Sequence, residues 1–175
     1  EIRRQAARDE LRALGVAEAK IDGFFDEMPR RYFVSHGPRQ IARHARAFFG
    51  YKEERGVVVS VREMRGDFSE LIVCTRDVHG LYWRVAGTLT ARGINIFASN
   101  VYTTRSGLAL EVYRVATPPG DASDRRRLWA GFEESLRDVL GGRVRVEDLV
   151  KRRRLPIGAT ETPSRMPPSV TIENG

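Results

Sequence analysis

Between Glu70 and Thr104 the sequence ELIVCTRDVHGLYWRVAGTLTARGINIFASNVYTT changes its hydrophobic period from that of a strand to that of a helix and back again. Glu70 to Thr75 is a short apolar run (Leu71, Ile72, Val73, Cys74) of strand length, and Asp77-Val78-His79-Gly80 interrupts it with turn chemistry. Leu81, Val85 and Leu89 then recur at i, i+4 and i+8, which places them on one helical face. Gly93 suits the left-handed conformation that ends a helix, after which Ile94, Ile96 and Ala98 alternate with Asn95, Phe97 and Ser99 as a second strand. The spacing predicts a βαβ unit, most simply a parallel pair of strands joined by a crossover helix.

The pattern continues downstream. Arg105-Ser106-Gly107 is a tight-turn signal, and Leu108 to Val115 reads as an antiparallel return strand. Pro118-Pro119-Gly120 breaks it. Leu128, Phe132, Leu136 and Leu140 then repeat every four residues on a second helix, with Asp121, Ser123 and Asp124 placed to cap its start. Gly141-Gly142 stops that helix, and Val144, Val146 and Leu149 are expected to form a last short strand. The resulting order is βαββαβ, which predicts an α+β, ferredoxin-like sandwich with its helices on one face of the sheet.

Residues 1–50 read instead as helices. Leu11 and Leu14 close the first and Gly15 breaks it; Ile21, Phe24, Phe25 and Met28 line a second that ends before Pro29; Pro38 suits the first turn of a third running through Ile41, Ala45 and Phe48. Val57 to Val61 is an extra strand, turned by Arg65-Gly66-Asp67. The expected layout is therefore a helical segment at 1–50, an α+β domain with an extra N-terminal strand at 57–150, a basic and proline-rich linker at 151–168, and an isolated strand at 169–175.

Composition narrows the function classes. Charged residues make up 30% of the chain, and no apolar run approaches the ~20 residues needed to span a bilayer, which argues against a membrane protein. The lone Cys74 allows neither an intrachain disulfide nor a cysteine-only zinc site. With no initiator Met and no apolar leader, the expectation is a cytoplasmic fragment of a longer chain.

Several segments together carry a family resemblance: Arg76-Asp77-Val78-His79-Gly80-Leu81, Ala86-Gly87, Gly93-Ile94-Asn95-Ile96, Thr103-Thr104-Arg105-Ser106-Gly107 and Ala109-Leu110-Glu111. They resemble an ACT domain of the bifunctional PII uridylyltransferase/uridylyl-removing enzymes. Upstream, Met28-Pro29-Arg30-Arg31-Tyr32 and Ile41-Ala42-Arg43-His44-Ala45 resemble the helical segment that joins the HD phosphohydrolase domain of that family to its tandem ACT domains. The basic run, linker and solitary strand resemble the passage into a second ACT domain. The resemblance implies a regulatory module that senses glutamine, in an enzyme whose other domains attach uridylyl groups to the PII signalling protein and remove them. It implies magnesium or manganese for those catalytic domains and no cofactor in this segment. The chain itself contains neither a His-Asp dipeptide nor a Gly-Ser pair, so the segment is expected to be non-catalytic.

The expected ligand site is the turn before the first α+β helix together with the opening of the following strand: Asp77, Val78, His79, Gly80, Leu81, Asn95 and Ile96. Backbone N–H groups at a helix start suit a carboxylate such as that of a free amino acid, Gly80 lets a ligand approach the backbone, and Asn95 offers donors and an acceptor. Where the family pattern reads Asp-Arg-Pro-Gly, this chain has Val78 and His79 in the middle, losing a charge and a fixed φ. His36, His44 and His79 have no metal-ligand spacing and are expected at the surface or in packing roles, and Cys74 in the core. Gly87 is expected to permit close packing against the sheet.

Two other readings remain. A net charge of +7 and a pI near 10.2, with Arg125-Arg126-Arg127 and Lys151 to Arg154 as clusters, suit an RNA-binding ferredoxin-like module. Phe97, Tyr102 and Tyr113 lack the interleaving of basic and aromatic residues found on such sheets, so no nucleic-acid partner is expected. The other is an ACT regulatory domain of a different metabolic enzyme. Open sheet edges and the terminal strand predict a homo-oligomer.

Overall fold

The computed structural model describes residues 2–153. Only the first residues of the expected linker fall inside that range, and the strand expected at 169–175 lies outside the described residues. Four helices come first: α1 (Ile2–Ala13), α2 (Glu18–Glu27), α3 (Arg30–Ser35) and α4 (Pro38–Gly50). Gly15 turns the chain at φ 76°, as the break after the first helix requires. Pro38 opens α4 at a position whose N–H has no helical partner in any case, and the Gly37 N–H donates to Gln40 Oε1 at 3.0 Å. The short α3, absent from the periodicity, fits between Pro29 and Pro38 and buries Tyr32 and Phe33.

There follow β1 (Val57–Glu63), β2 (Phe68–Arg76), α5 (Leu81–Ala91), β3 (Ile96–Thr103), β4 (Leu108–Ala116), α6 (Ala122–Leu140) and α7 (Val146–Arg153). The described strands form one antiparallel sheet in the order β1-β2-β4-β3. β2 and β3 do run in the same direction, but β4 lies between them, so the expected adjacent parallel pair is not formed. Burial explains the order. β2 and β4 are nearly continuous buried runs and take the centre, whereas the mixed exposure of β1 and β3 suits the two edges.

The strand expected at Val144, Val146 and Leu149 is helical. Its sheet position is filled, because β1 folds back as a hairpin onto the free edge of β2. The segment also carries Glu147 and Asp148 in its first turn and Lys151, Arg152 and Arg153 in its last, the charge order that favours a helix dipole. Val146 and Val150 share one face of α7 and pack on α5 at Gly87, where an added Cβ would collide with Val146 Cγ2. Gly87 thus makes room for a helix, not for the sheet.

Helices cover both faces of the sheet, not one. Leu71, Val73 and Tyr113 point toward α5 and α6, meeting Val85, Leu89, Phe132 and Leu136. Ile72, Cys74, Tyr102, Leu108 and Leu110 point the other way into a second core with Phe24, Tyr32, Ile41 and Ala45 of the helical segment. The alternation of side chains along β2 and β4 feeds the two cores in turn. The sheet and the segment before it are thereby one packed unit.

Candidate functional site

The turn between β2 and α5 is built as the sequence suggests. Gly80 occupies the N-cap of α5 at φ 71°, ψ 18°, a conformation that explains the glycine by itself, since a Cβ there would meet nothing within 4 Å. The Leu81 N–H donates to Val78 O at 3.1 Å and the Asp77 N–H to Gly107 O at 3.0 Å. This leaves Val78, His79 and Gly80 as the amides of that turn without a backbone partner among the described residues. Asp77 Oδ2 accepts from Thr103 Oγ1 at 2.8 Å, tying the turn to the end of β3. The side chains of Asp77, Val78 and His79 are exposed and that of Leu81 is buried.

Asn95 and Ile96 lie elsewhere. They enter β3 at the end where Ile96 pairs with Val115 and Asn95 O accepts from the Ala116 N–H at 2.9 Å, whereas Asp77 to Leu81 adjoin the opposite end, beside Thr103 and Leu108. The 11-residue α5 runs between the two groups, a rise of about 16 Å. One small ligand in one subunit cannot touch both, so the expected seven-residue site divides into two. The reason is topological: the crossover helix must return the chain to the far end of the sheet before β3 can begin.

The feature that sequence spacing hid is a buried polar interlock between the helical segment and the sheet. Tyr32 and His44 share a hydrogen bond of 2.9 Å between Oη and Nδ1; His36 Nε2 and Tyr102 Oη share another of 3.0 Å across α3 and β3. The two imidazoles lie edge to face with centroids 4.8 Å apart. Beside them, Glu70 of β2 accepts from Arg43 Nη2 at 2.8 Å and from Gln40 Nε2 at 3.0 Å. Burial, with His36 next to it, holds the His44 pKa well below the ordinary histidine value, and burial lowers that of His36. Burial opposes the charge on Glu70, but the hydrogen bonds from Arg43 and Gln40 outweigh it and keep this carboxyl below the usual range. Of the surface or packing positions expected for the histidines, His36 and His44 take buried packing positions, where they also share hydrogen bonds, and His79 is exposed.

Other residues resolve simply. Cys74 is fully buried and its thiol is pushed up to about 12 by that burial, which leaves it inert. Glu111, also buried, accepts from the Tyr113 hydroxyl while its Oε1 has no partner among the described residues, and burial raises its pKa. No group of three or more His, Cys, Asp or Glu side chains that could hold a metal occurs among the described residues. The broad open sheet face that an RNA-binding ferredoxin-like module would use is largely taken by α3 and α4. No described helix is long and apolar enough to cross a membrane.

Fold and site together define an α+β, ACT-like domain packed against a helical segment through a buried polar interlock. Comparison with known proteins supplies the particular family. Residues 1–47 match the family described as the fifth domain of uridylyltransferase GlnD. The chain is 26% identical over 160 residues to the bifunctional uridylyltransferase/uridylyl-removing enzyme of Rhodospirillum rubrum, covering 90% of this chain and 17% of that protein. It is 31% identical over 147 residues to that of Azospirillum brasilense, covering 82% and 16%, and 33% identical over 141 residues to that of Bradyrhizobium diazoefficiens, covering 78% and 15%. The chain matches a C-terminal fragment of the bifunctional uridylyltransferase/uridylyl-removing enzymes and spans about a sixth of the length of these relatives.

Proposed function

We propose that this segment is the regulatory, glutamine-sensing part of a cytoplasmic bifunctional enzyme that uridylylates and deuridylylates the PII protein, and that it performs no chemistry itself. The observation that carries this reading is the interlock of Tyr32, His36, Arg43 and His44 with Glu70 and Tyr102. A ligand that shifts the sheet by a fraction of an ångström must either move α3 and α4 with it or break buried hydrogen bonds. Leaving such a group unpaired costs about 1–3 kcal/mol, comparable to a typical allosteric coupling. The magnesium or manganese of the parent enzyme belongs in this reading to its catalytic domains.

The test has two arms. Calorimetry of the 175-residue chain with glutamine up to millimolar concentration should give saturable heat; none here and none in a version extended through the next domain refutes the sensing role. Incubation with PII, labelled UTP and magnesium or manganese should leave PII unlabelled, and stoichiometric labelling refutes the non-catalytic role. The edge of β3 away from β4 is unpaired among the described strands and presents Phe97 at 61% and Val101 at 37% exposure, which supports pairing with a second copy. Sedimentation at micromolar concentration should show dimers, and monomer alone refutes that part.

A further inference from the structure

The core beneath α5 holds one ionisable group that sensing and catalysis leave unused. Glu111 lies in the middle of β4, on the face that carries Ala109, Tyr113 and Val115 into the α5–α6 core, and it is only 1% exposed. Its cross-strand neighbours on that face are Val73 of β2 and Val101 of β3, whose side chains offer no hydrogen bond. Oε2 accepts from the Tyr113 hydroxyl, whereas Oε1 is buried without a partner among the described residues. The surrounding elements bring it no cation. α5 contributes Tyr82, whose ring stacks on that of Tyr113 with centroids 6.1 Å apart, and Arg84, which donates to Val139 O at 3.3 Å. α6 contributes the apolar Phe132, Leu136 and Val139, while its Glu133 and Arg137 pair with each other. At the end of β2 stands a like charge, Asp77, held to Thr103 of β3. Burial raises the pKa of Glu111, the bond from Tyr113 opposes this in part, and Asp77 adds to it.

We infer that Glu111 is a proton-operated wedge between β4 and the first turns of α5. Neutral, it fits the apolar core; on losing its proton to bulk water it must be hydrated, and this drives Tyr82 and the Asp77–Leu81 turn outward. The Tyr113 hydroxyl serves only one carboxylate oxygen, and a buried carboxylate with an empty acceptor is costlier than a buried carboxylic acid. The cover on this side is the part of the core most able to give way. Tyr82 is 47% exposed and Val101 belongs to an edge strand. The turn is tied to its neighbours through Asp77, whose N–H donates to Gly107 O at 3.0 Å and whose Oδ2 accepts from Thr103 at 2.8 Å. A new charge on Glu111 repels that same residue. Opening releases one proton, so the ratio of open to closed molecules grows about tenfold per pH unit between the ordinary glutamate value of about 4.3 and the raised value of the closed state, and is constant above it. The wedge needs no bound ligand and stands or falls apart from amino-acid sensing.

The experiment uses the full 175-residue chain without ligand. By carbon-13 NMR the Glu111 carboxyl, assigned through its own backbone correlations, should titrate at least about one pH unit above the ordinary 4.3. Amide exchange at Arg84 and Val85, divided by the intrinsic rate, should rise up to about tenfold per pH unit over that interval. It should stay flat in Glu111→Gln, which keeps an acceptor for Tyr113 but cannot ionise, and Glu133→Gln should behave as the original chain. Exchange at Val112 in the sheet centre should be slower throughout, which separates opening of the turn from unfolding of the domain. A Glu111 titration at or below about 4.3 overturns the wedge, and because it needs no variant it decides even if Glu111→Gln does not fold. The wedge is equally overturned if the pH dependence at Arg84 and Val85 survives in Glu111→Gln, or if exchange there is no faster than at Val112.

Discussion

Acid should weaken this protein through one identifiable imidazole. His44 is fully buried between Tyr32, His36 and the Arg43–Glu70 pair, and burial first, then the neighbouring His36, holds its pKa well below the value of about 6.5 that it regains on unfolding. Between the folded and unfolded values the unfolded chain binds the extra proton, so stability rises with pH. The contribution of His44 is therefore complete above pH 6.5 and is lost as the pH falls below it, at about 1.4 kcal/mol per pH unit. His36, lowered by burial, acts in the same direction. Glu111, raised by burial on the other face of the sheet, acts in the opposite one, so the raw slope of the protein mixes the three. His44→Gln isolates the term, because Gln can still accept from the Tyr32 hydroxyl but does not titrate. Urea unfolding at constant ionic strength, followed by tryptophan fluorescence and circular dichroism from pH 7.5 to 5, should give a stability curve about 1.4 kcal/mol per pH unit steeper for the original chain than for the variant below pH 6.5. Parallel curves would show that His44 is solvated or charged in the folded state and would refute the interlock as described.

Tyr32→Phe should cost about 1–3 kcal/mol in the same unfolding assay at pH 7.5, because it strands His44 Nδ1 without a partner in a buried site; a loss below 0.5 kcal/mol contradicts this. Gly87→Leu should overpack the α5–α7 contact at Val146, costing about 1–3 kcal/mol and exposing Lys151 to Arg153 to faster trypsin cleavage, and an unchanged cleavage rate would show that α7 is not docked there. Asp121→Ala should cost about 1 kcal/mol, since its carboxylate accepts from the Ser123 and Asp124 N–H groups at 2.7 and 2.9 Å at the start of α6; no change in unfolding midpoint would count against the cap.

What this sequence determined by itself is mostly local. The i, i+4, i+8 spacing of Leu81, Val85 and Leu89, the Asp121 cap, and the turn glycines at 15, 66, 80, 93 and 107 follow from backbone geometry within a few residues, and each reappears at its expected place. Contacts decided by distant partners were not legible. Val144 to Leu149 has enough apolar residues for a strand, and only the hairpin of β1 on β2, some 80 residues earlier, removes the sheet edge it needed and leaves helix α7 as the way to bury Val146. The βαβ period was clear in Glu70 to Thr104, yet nothing in it says that β4 will enter between the two strands or that Asn95 will finish a helix length away from Asp77. His36 and His44 read as unrelated polar residues because an eight-residue offset carries no chemistry. A turn between two helices and a tyrosine supplied by β3 bring them edge to face, and burial, a property of the assembled fold alone, then moves their titration.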